Sequence, residues 1–302
     1  MSKSEPLSDY EKFKRYVMKY NARRIFNEFL DIVTEKNNSQ IENCTFIMKL
    51  KNIIETALEQ SDTPPVIELS CSDKPYYRAR IIKDVFNCND KGLKYNSEEI
   101  LSGYNKNESK EPALGVPGHG RNNYLGTSYL YLTDNRYTAC AEMRPKPFSF
   151  ISIATFKIMK QLRMIDFSER YNYLHDDGNI SIDDLMVLLS RMFSRRVDND
   201  QEYYATQYIS DLIRKYGVDG ICYNSAVSKG KNITIFNCCE KNVTFISSEV
   251  VFVDDIHYNI YNFNSLEHYD TEVESDSEIK ERLKHERVTV LNELNKKKSN
   301  NE

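Results

Sequence analysis

Residues 120–132 have the sequence Gly-Arg-Asn-Asn-Tyr-Leu-Gly-Thr-Ser-Tyr-Leu-Tyr-Leu, and residues 138–145 have the sequence Thr-Ala-Cys-Ala-Glu-Met-Arg-Pro. The first segment predicts a glycine-rich loop that carries Arg121 and leads into a short apolar strand. The second predicts a helical turn of small residues that ends in Glu142, with Asn135 or Thr133 as its cap. A cation, aromatic hydroxyls and a carboxylate so close in sequence favour a site for an anionic ligand that bears a sugar.

Upstream of this stretch, apolar residues at helical spacing predict two helices packed as an antiparallel pair. Ser8 and Glu11 form a capping box at the start of the first helix, whose apolar pattern continues to Val33. The second helix is predicted to end before Pro64 and Pro65, because proline cannot continue a helix. Its apolar face consists of Ile47, Leu50, Ile54 and Leu58.

The rest of the chain alternates between strand and helix patterns. Strands are predicted at 66–69, 76–81, 129–132, 148–156, 219–223, 232–236, 243–246 and 250–254. Helices are predicted at 183–193 and 202–216, the second followed by Gly217 at its C-terminal cap. Residues 87–111 predict a long loop with one helical turn, and the charged segment 275–295 predicts a frayed or solvated helix. The pattern predicts an α+β fold.

Composition and the absence of certain motifs argue against several classes of protein. The chain has 302 residues and a formal net charge of -4, which argues against a dedicated nucleic-acid binder. No apolar run is long enough for a membrane span and no secretory signal is visible, so we expect a cytoplasmic protein. The 7 cysteines and 5 histidines show no metal-ligand spacing, and we therefore expect no metal site and no disulfide framework.

Several polar residues each allow a structural and a functional interpretation. Arg78 and Arg80 alternate along a strand and so share one face, which is typical of a solvated surface but also of a phosphate site. Glu142, among small residues, is either a buried, paired charge or a functional group. Ser225 lies at the end of a strand, where a hydroxyl usually forms a turn. No G-x-S-x-G motif surrounds it, which argues against a serine hydrolase.

Four segments together resemble the RES domain family. They are Tyr-Arg-Ala-Arg at 77–80, the glycine loop and strand at 120–131, Ala-Glu-Met-Arg-Pro at 141–145, and the segment from Tyr204 through Gly217 and Ser225 to Phe236. The resemblance extends over residues 66–254. The family is named for an arginine, a glutamate and a serine, and the matching positions are Arg78, Glu142 and Ser225. Asn122 stands where many members have tryptophan.

The resemblance implies a fold similar to ADP-ribosyltransferases, with a split mixed β core and flanking helices around an NAD cleft. It also implies that Arg78, Glu142 and Ser225 are catalytic. Substrate-binding residues would be Arg121 and Tyr131 together with Arg80, Asn122 and Tyr129. NAD+ would be the substrate, and no cofactor or metal is expected.

The resemblance further implies a bacterial NAD+ glycohydrolase that acts as a toxin and is neutralised by an Xre-type helix-turn-helix antitoxin. Mono-ADP-ribosylation of a protein and non-catalytic nucleotide binding are the alternatives. We expect an N-terminal helical extension at 1–63, an NAD-cleaving domain at 64–262 and a charged tail at 263–302. A homodimer is a further expectation, whereas direct contact with nucleic acid or membrane is not expected.

Overall fold

The structure is a computed structural model that describes residues 9–35, 38–60, 64–71, 74–83, 86–89, 92–95, 102–169, 180–197 and 199–256. Except for Ile256, these residues belong to one unit, Met1–Asp255. The capping residue Ser8 and the helix predicted at 275–295 lie outside the described residues. In the part of the chain that the structure describes, no helix is both long and apolar enough to cross a membrane. The predicted boundaries at 63 and 262 stay predictions.

The N-terminal helical pair is confirmed and packs through aromatic residues. Helix α1 (Asp9–Thr34) is joined by the short α2 (Asn38–Asn43) to α3 (Thr45–Glu59). The rings of Phe29 and Phe46 stack with centroids 4.6 Å apart. Ile47, Leu50 and Ile54 are buried on the predicted face of α3. These residues share one hydrophobic cluster with residues of the later helices, so the pair stabilises the main sheet by covering part of it.

Eight strands form one mixed sheet, which confirms the predicted α+β class. Their order across the sheet is β1-β7-β8-β9-β5-β2-β6-β10, and β7 and β8 are the parallel pair. The strands are β1 (Val66–Leu69), β2 (Tyr76–Ile81), β5 (Leu130–Thr133), β6 (Phe150–Ile158), β7 (Leu162–Asp166), β8 (Gly220–Asn224), β9 (Lys231–Ile235) and β10 (Val243–Phe252). Four later helices are α4 (Lys106–Ser109), α5 (Arg136–Glu142), α6 (Ile182–Ser194) and α7 (Tyr204–Lys215).

Three local predictions are wrong. The predicted loop at 87–111 contains an unpredicted hairpin of β3 (Phe86–Asn89) and β4 (Gly92–Tyr95), whereas α4 agrees with the helical turn predicted there. Strand β7 was not predicted, because its exposed Arg163 interrupts a short apolar run. The two strands predicted at 243–254 are one edge strand, β10. Its polar middle resembles a turn, but it pairs with β6 after a register shift between Phe245 and Ser247.

Strand pairing assigns each site candidate to one face of the sheet. Tyr77 pairs with Thr133, Thr133 with Asn232, and Asn232 with Tyr223, so this row of side chains lies on one face. We call it the helical face, because Tyr223 packs there among residues of α6 and α7. Arg78 follows Tyr77 in β2 and therefore lies on the opposite face.

Candidate functional site

Glu142 ends a helix that is anchored tightly at its start. Asn135 caps α5 by accepting a hydrogen bond from the N–H of Thr138 at 2.9 Å, as predicted. Thr138 is fully buried, and its hydroxyl lies 2.9 Å from that of Ser228. A Cβ atom at Gly230 would lie 2.1 Å from Thr138 Oγ1, so only glycine lets the 225–230 turn approach this closely. The close approach brings Ser225 to Glu142.

One oxygen of the Glu142 carboxylate accepts two hydrogen bonds. Ser225 Oγ donates to Glu142 Oε1 at 2.7 Å, and Asn232 Nδ2 donates to the same oxygen at 2.6 Å. The described residues supply no hydrogen bond to Oε2. Glu142 is partly buried, so the two donors stabilise its charge while the side chain stays partly exposed to solvent. The carboxylate is therefore held through one oxygen and can present the other to a ligand.

Ser225 has both a structural and a functional contact, the two alternatives that the sequence left open. Its N–H donates to Gly230 O at 2.9 Å, and its hydroxyl accepts a hydrogen bond from the N–H of Val227 at 3.1 Å. The same hydroxyl is the donor to Glu142. Because the turn supplies a donor to the oxygen, the hydroxyl hydrogen is directed toward the carboxylate. Ser225 is thus both a turn former and a partner of Glu142.

The glycine loop before β5 is closed by main-chain hydrogen bonds. Gly115 N–H donates to Gly126 O, and Gly126 N–H donates to Pro117 O, both at 2.8 Å. Gly126 has a φ of 81°, a conformation that favours glycine. At the tip, Gly120 N–H donates to Asn123 O at 3.0 Å. This closed loop fixes the main chain of Arg121.

Helix α7 clamps the loop from the other side. Thr206 Oγ1 donates to Arg121 O at 2.6 Å. Gln207 Nε2 donates to Gly120 O at 2.8 Å and to Asn123 O at 2.9 Å. Ser210 Oγ donates to Asn122 Oδ1 at 3.0 Å. All three α7 side chains are buried, and their donors bind three main-chain carbonyls and one side-chain oxygen of the loop.

The guanidinium group of Arg121 lies at the C-terminal end of α6. It donates to Met192 O at 3.3 Å and to Arg195 O at 2.7 Å. It also lies 5.4 Å from the ring centroid of Tyr203 and 6.0 Å from that of Tyr223. Carbonyl groups at a helix C-terminus and aromatic faces both favour a cation. Two carbonyls use only part of the five N–H donors of the guanidinium group.

Tyr223 connects Arg121 to Glu142. It is 3% exposed on the helical face of the sheet. Burial raises the pKa of its hydroxyl to about 12; the guanidinium group of Arg121 lowers this pKa and the carboxylate of Glu142 raises it. The guanidinium group of Arg121 lies near the Tyr223 ring, and Tyr223 pairs across the sheet with Asn232, which donates to Glu142, so the cation and the carboxylate lie on the same face of the sheet.

Tyr131 anchors the glycine loop. Its hydroxyl accepts a hydrogen bond from the N–H of Asn122 at 3.1 Å and donates to Asn123 Oδ1 at 2.7 Å. Burial raises the pKa of Tyr131 well above its ordinary value, so the hydroxyl stays protonated and keeps donating. Tyr131 lies on the helical face of the sheet, and both hydrogen bonds of its hydroxyl are made with the loop.

Asn122 and Tyr129, two predicted substrate contacts, are both buried. Asn122 is 2% exposed, and its amide donates to Thr234 Oγ1 at 2.5 Å and accepts from Ser210. Tyr129 is 7% exposed and packs against Phe236 with ring centroids 5.0 Å apart. Both side chains lie under the loop, where they hold it against the sheet and α7.

Arg78 and Arg80 are not brought to Glu142. Arg78 Nη1 donates to Ser109 O at 2.6 Å and to Lys110 O. Arg80 Nη1 donates to Glu108 O. These arginines cap the carbonyl end of α4 on the opposite face of the sheet. Burial lowers the pKa of Arg78 to about 10, and the neighbouring charge of Arg80 acts in the same direction.

The opposite face also carries an open groove of about 820 Å³, lined by Arg80 and Lys110 among others. Glu142, Ser225 and Arg121 are not among its lining residues. The polar cluster of Glu142, Ser225 and Asn232 on the helical face therefore lies outside this groove.

Three residues of the site were missed by sequence reasoning. Asn232 contacts Glu142, Tyr223 connects it to Arg121, and Gln207 holds the loop. Asn232 and Thr234 are polar residues that alternate with Ile233 and Ile235 in β9, and this alternation predicts a polar strip on one face. Gln207 carried no such signal, because its role depends on how α7 packs.

The described residues hold no group of three or more His, Cys, Asp or Glu side chains that could bind a metal ion. The arrangement instead combines a held carboxylate with a cation in a fixed loop. Such a pair can bind an anionic group and stabilise a positive charge that develops next to the carboxylate.

A search of curated proteins gave no significant match. Among solved structures, the chain is similar to the crystal structure of the M. tuberculosis MbcT-MbcA toxin-antitoxin complex. The match has 13% identity and a TM-score of 0.33, and it covers 62% of this chain and 86% of that chain.

The family model for the RES domain matches residues 102–258. This range contains Arg121, Tyr131, Glu142 and Ser225, which the structure places on the helical face. It does not include Arg78 and Arg80, which lie on the opposite face. The match covers more than half of the sequence, and the chain belongs to the RES domain family.

Proposed function

We propose that this protein is an NAD+ glycohydrolase that cleaves the bond between nicotinamide and ribose. The observation that carries the proposal is the Glu142 carboxylate, which Ser225 and Asn232 hold through one oxygen. Arg121 acts with it on Tyr223 and supplies the cation that a pyrophosphate needs. Membership of the RES domain family supports NAD+ as the substrate.

Glu142 is the proposed catalytic residue. Breaking the nicotinamide–ribose bond leaves positive charge on the ribose ring, as in glycoside hydrolysis. A carboxylate already in place stabilises that charge without reorganising during the reaction. Ser225 and Asn232 keep Oε1 engaged, and Oε2 is proposed to face the sugar. Water then adds to the ribose, loses a proton to the solvent, and the products are nicotinamide and ADP-ribose.

Arg121 is the proposed pyrophosphate ligand. Its main chain is fixed by Thr206 and by the closed glycine loop, so the charge is positioned before the substrate arrives. The N–H groups that are not bonded to Met192 O and Arg195 O can donate to phosphate oxygens. Tyr131 contributes indirectly, because its hydroxyl holds the loop. Arg78 and Arg80 have no part in this proposal.

The test is cleavage of NAD+ by purified protein, with Glu142→Gln as the variant. The amide keeps the size of the side chain but removes the charge, and we expect turnover to fall by about 10²–10³-fold. Glu249→Gln is the matched control, because Glu249 pairs with Arg136 Nη2 at 2.7 Å at the other end of α5. This control is expected to cleave NAD+ at the wild-type rate.

Product analysis separates hydrolysis from transfer. Free nicotinamide with free ADP-ribose supports the glycohydrolase. Labelling of a protein by ³²P-NAD+ would instead assign mono-ADP-ribosyltransfer. NAD+ that stays intact with the wild-type protein would contradict both, and binding without turnover would leave nucleotide recognition as the function.

We extend the proposal to a bacterial toxin that depletes cytoplasmic NAD+ and is neutralised by an Xre-type helix-turn-helix antitoxin, as the family resemblance implies. Expression should then arrest growth and lower cellular NAD+, and Glu142→Gln should relieve both effects. Co-expression of an adjacent helix-turn-helix gene should restore growth. Arrest that persists with Glu142→Gln would contradict toxicity through NAD+ cleavage.

A further inference from the structure

We propose that Asn232 is a positioning residue that, together with Ser225, orients the Glu142 carboxylate so that its second oxygen faces the substrate. The inference rests on the proposed function, because it assigns a task to the carboxylate that the proposal makes catalytic. It adds a residue that sequence reasoning did not place in the site. The amide of Asn232 donates to Glu142 Oε1 at 2.6 Å.

The two donors approach Oε1 from different parts of the fold. Asn232 belongs to β9, in the interior of the sheet between β5 and β8, whereas Ser225 lies in the turn that follows β8. The terminal torsion of a glutamate is broad, so a single hydrogen bond leaves the carboxylate free to rotate. Two donors on the same oxygen restrict that rotation and distinguish Oε1 from Oε2.

Asn232 is the more rigid of the two donors. It is 8% exposed and pairs with both Thr133 and Tyr223 in neighbouring strands. Ser225 must also serve its turn by accepting the N–H of Val227. A buried amide that failed to form a hydrogen bond would be costly, so the contact with Glu142 stabilises both groups. We therefore infer that Asn232 in β9, more than Ser225 in the turn, fixes the orientation of the Glu142 carboxylate.

Asparagine suits this position because it donates without carrying charge. Aspartate would have the same shape but would place a second carboxylate beside Glu142. Two carboxylates in contact cannot both ionise easily, and one proton shared between them restores a hydrogen bond. Tyr223 is a titratable group on which the Glu142 carboxylate acts, and burial raises the pKa of its hydroxyl to about 12, so this hydroxyl stays protonated between pH 5 and pH 8.

The experiment compares NAD+ cleavage by Asn232→Ala and Asn232→Asp with the wild type over pH 5–8. We expect Asn232→Ala to lower kcat by about 10–100-fold at unchanged KM and with the wild-type pH profile, because misplacing a reacting group by about 1 Å costs roughly 10²-fold. Asn232→Asp should be weaker still at pH 8 and should recover toward pH 5. In a Glu142→Ala background, Asn232→Ala should cause no further loss.

Asn224→Ala is the matched control. Asn224 also donates one side-chain hydrogen bond, to Ser168 O at 2.9 Å, but it lies at the end of β8 and does not contact Glu142. We expect this variant to lose stability and to retain kcat. Equal losses of kcat in Asn224→Ala and Asn232→Ala, or an Asn232→Asp profile parallel to the wild type, would overturn the inference.

Crystal structures of the wild type and Asn232→Ala test positioning independently of the reaction. We expect the Glu142 carboxylate to rotate away from its wild-type orientation while Ser225 and its turn stay in place. An unmoved carboxylate would overturn the inference even if NAD+ is cleaved. A rotated carboxylate in a protein that leaves NAD+ intact would support positioning and contradict the proposed function, so the two failures are distinguishable.

Discussion

Two glycines of the loop, Gly118 and Gly120, differ in whether a side chain fits at their position. A Cβ atom at Gly120 would lie 2.3 Å from Asn123 Oδ1 and 3.0 Å from the Tyr131 hydroxyl, which are the two groups that hold the loop. A Cβ atom at Gly118, only two residues away, would meet no atom within 4 Å. Packing therefore requires glycine at position 120 but not at position 118.

Gly120→Ala is therefore expected to displace Asn123 and break its hydrogen bond with Tyr131. We expect a loss of about 1–3 kcal/mol in the free energy of unfolding, measured with urea, together with a clear loss of NAD+ cleavage, because Arg121 moves with the loop. Gly118→Ala is the control and should match the wild type in both measurements. Equal stability of the two variants would show that the close approach at Gly120 is not limiting.

At the scale of elements, α7 acts as a clamp on a loop that is distant in sequence. Gln207 is fully buried and spans the loop by donating to Gly120 O and Asn123 O. The side-chain carbonyl, Oε1, is buried with no hydrogen-bond partner among the described residues. The structure tolerates this unsatisfied oxygen, which costs roughly 1–3 kcal/mol, because the same amide satisfies two carbonyl groups of the loop.

Gln207→Met should release the loop while preserving the packing of α7. We expect faster amide hydrogen exchange across residues 118–126 and a rise in KM for NAD+, because Arg121 is no longer preorganised. Gln161→Met provides the control, since the exposed Gln161 donates to Glu68 at the sheet edge. Exchange in 118–126 that stays at the wild-type rate in Gln207→Met would contradict the role of α7 as a clamp.

For the whole molecule, the buried tyrosines of the site link its stability to alkaline pH. Burial raises the pKa of Tyr223 to about 12 from an ordinary value of 10, and it raises the pKa of Tyr131 well above its ordinary value. The folded state thus holds these protons more tightly than the unfolded state. Their stabilising contribution is complete below pH 10 and declines as the pH rises through the raised values.

Urea unfolding between pH 8 and pH 11.5 should show this decline. Above pH 10, each buried tyrosine contributes a loss of up to about 1.4 kcal/mol per pH unit. Tyr223→Phe removes one titrating group and should make the decline shallower. Tyr137→Phe, at a side chain that is 81% exposed, should keep the wild-type slope. Parallel curves for wild type and Tyr223→Phe would exclude a contribution from Tyr223.

Local sequence patterns were sufficient to predict most elements but not which faces they share. The Asn135 cap, the helix ending at Glu142 and the apolar face of α3 follow from spacings within a few residues. The polar middle of β10 was misread because its partner strand, β6, is far away in sequence and sets its register. Gln207 gave no signal for the same reason, since its partners lie more than eighty residues upstream.

The sequence by itself determined the class of the fold, the order of most of its elements and the candidate residues Arg78, Arg121, Glu142 and Ser225. These features depend on short-range propensities and on motifs that are contiguous in the chain. Only the tertiary structure decided that Arg121, and not Arg78, lies on the same face of the sheet as Glu142. Arg78 and Tyr77 are adjacent, but strand pairing directs Tyr77 toward the row that contains Asn232 and Arg78 toward the opposite face. A side chain changes faces with every step along a strand, so membership of the site depends on a register set by strands far apart in the chain.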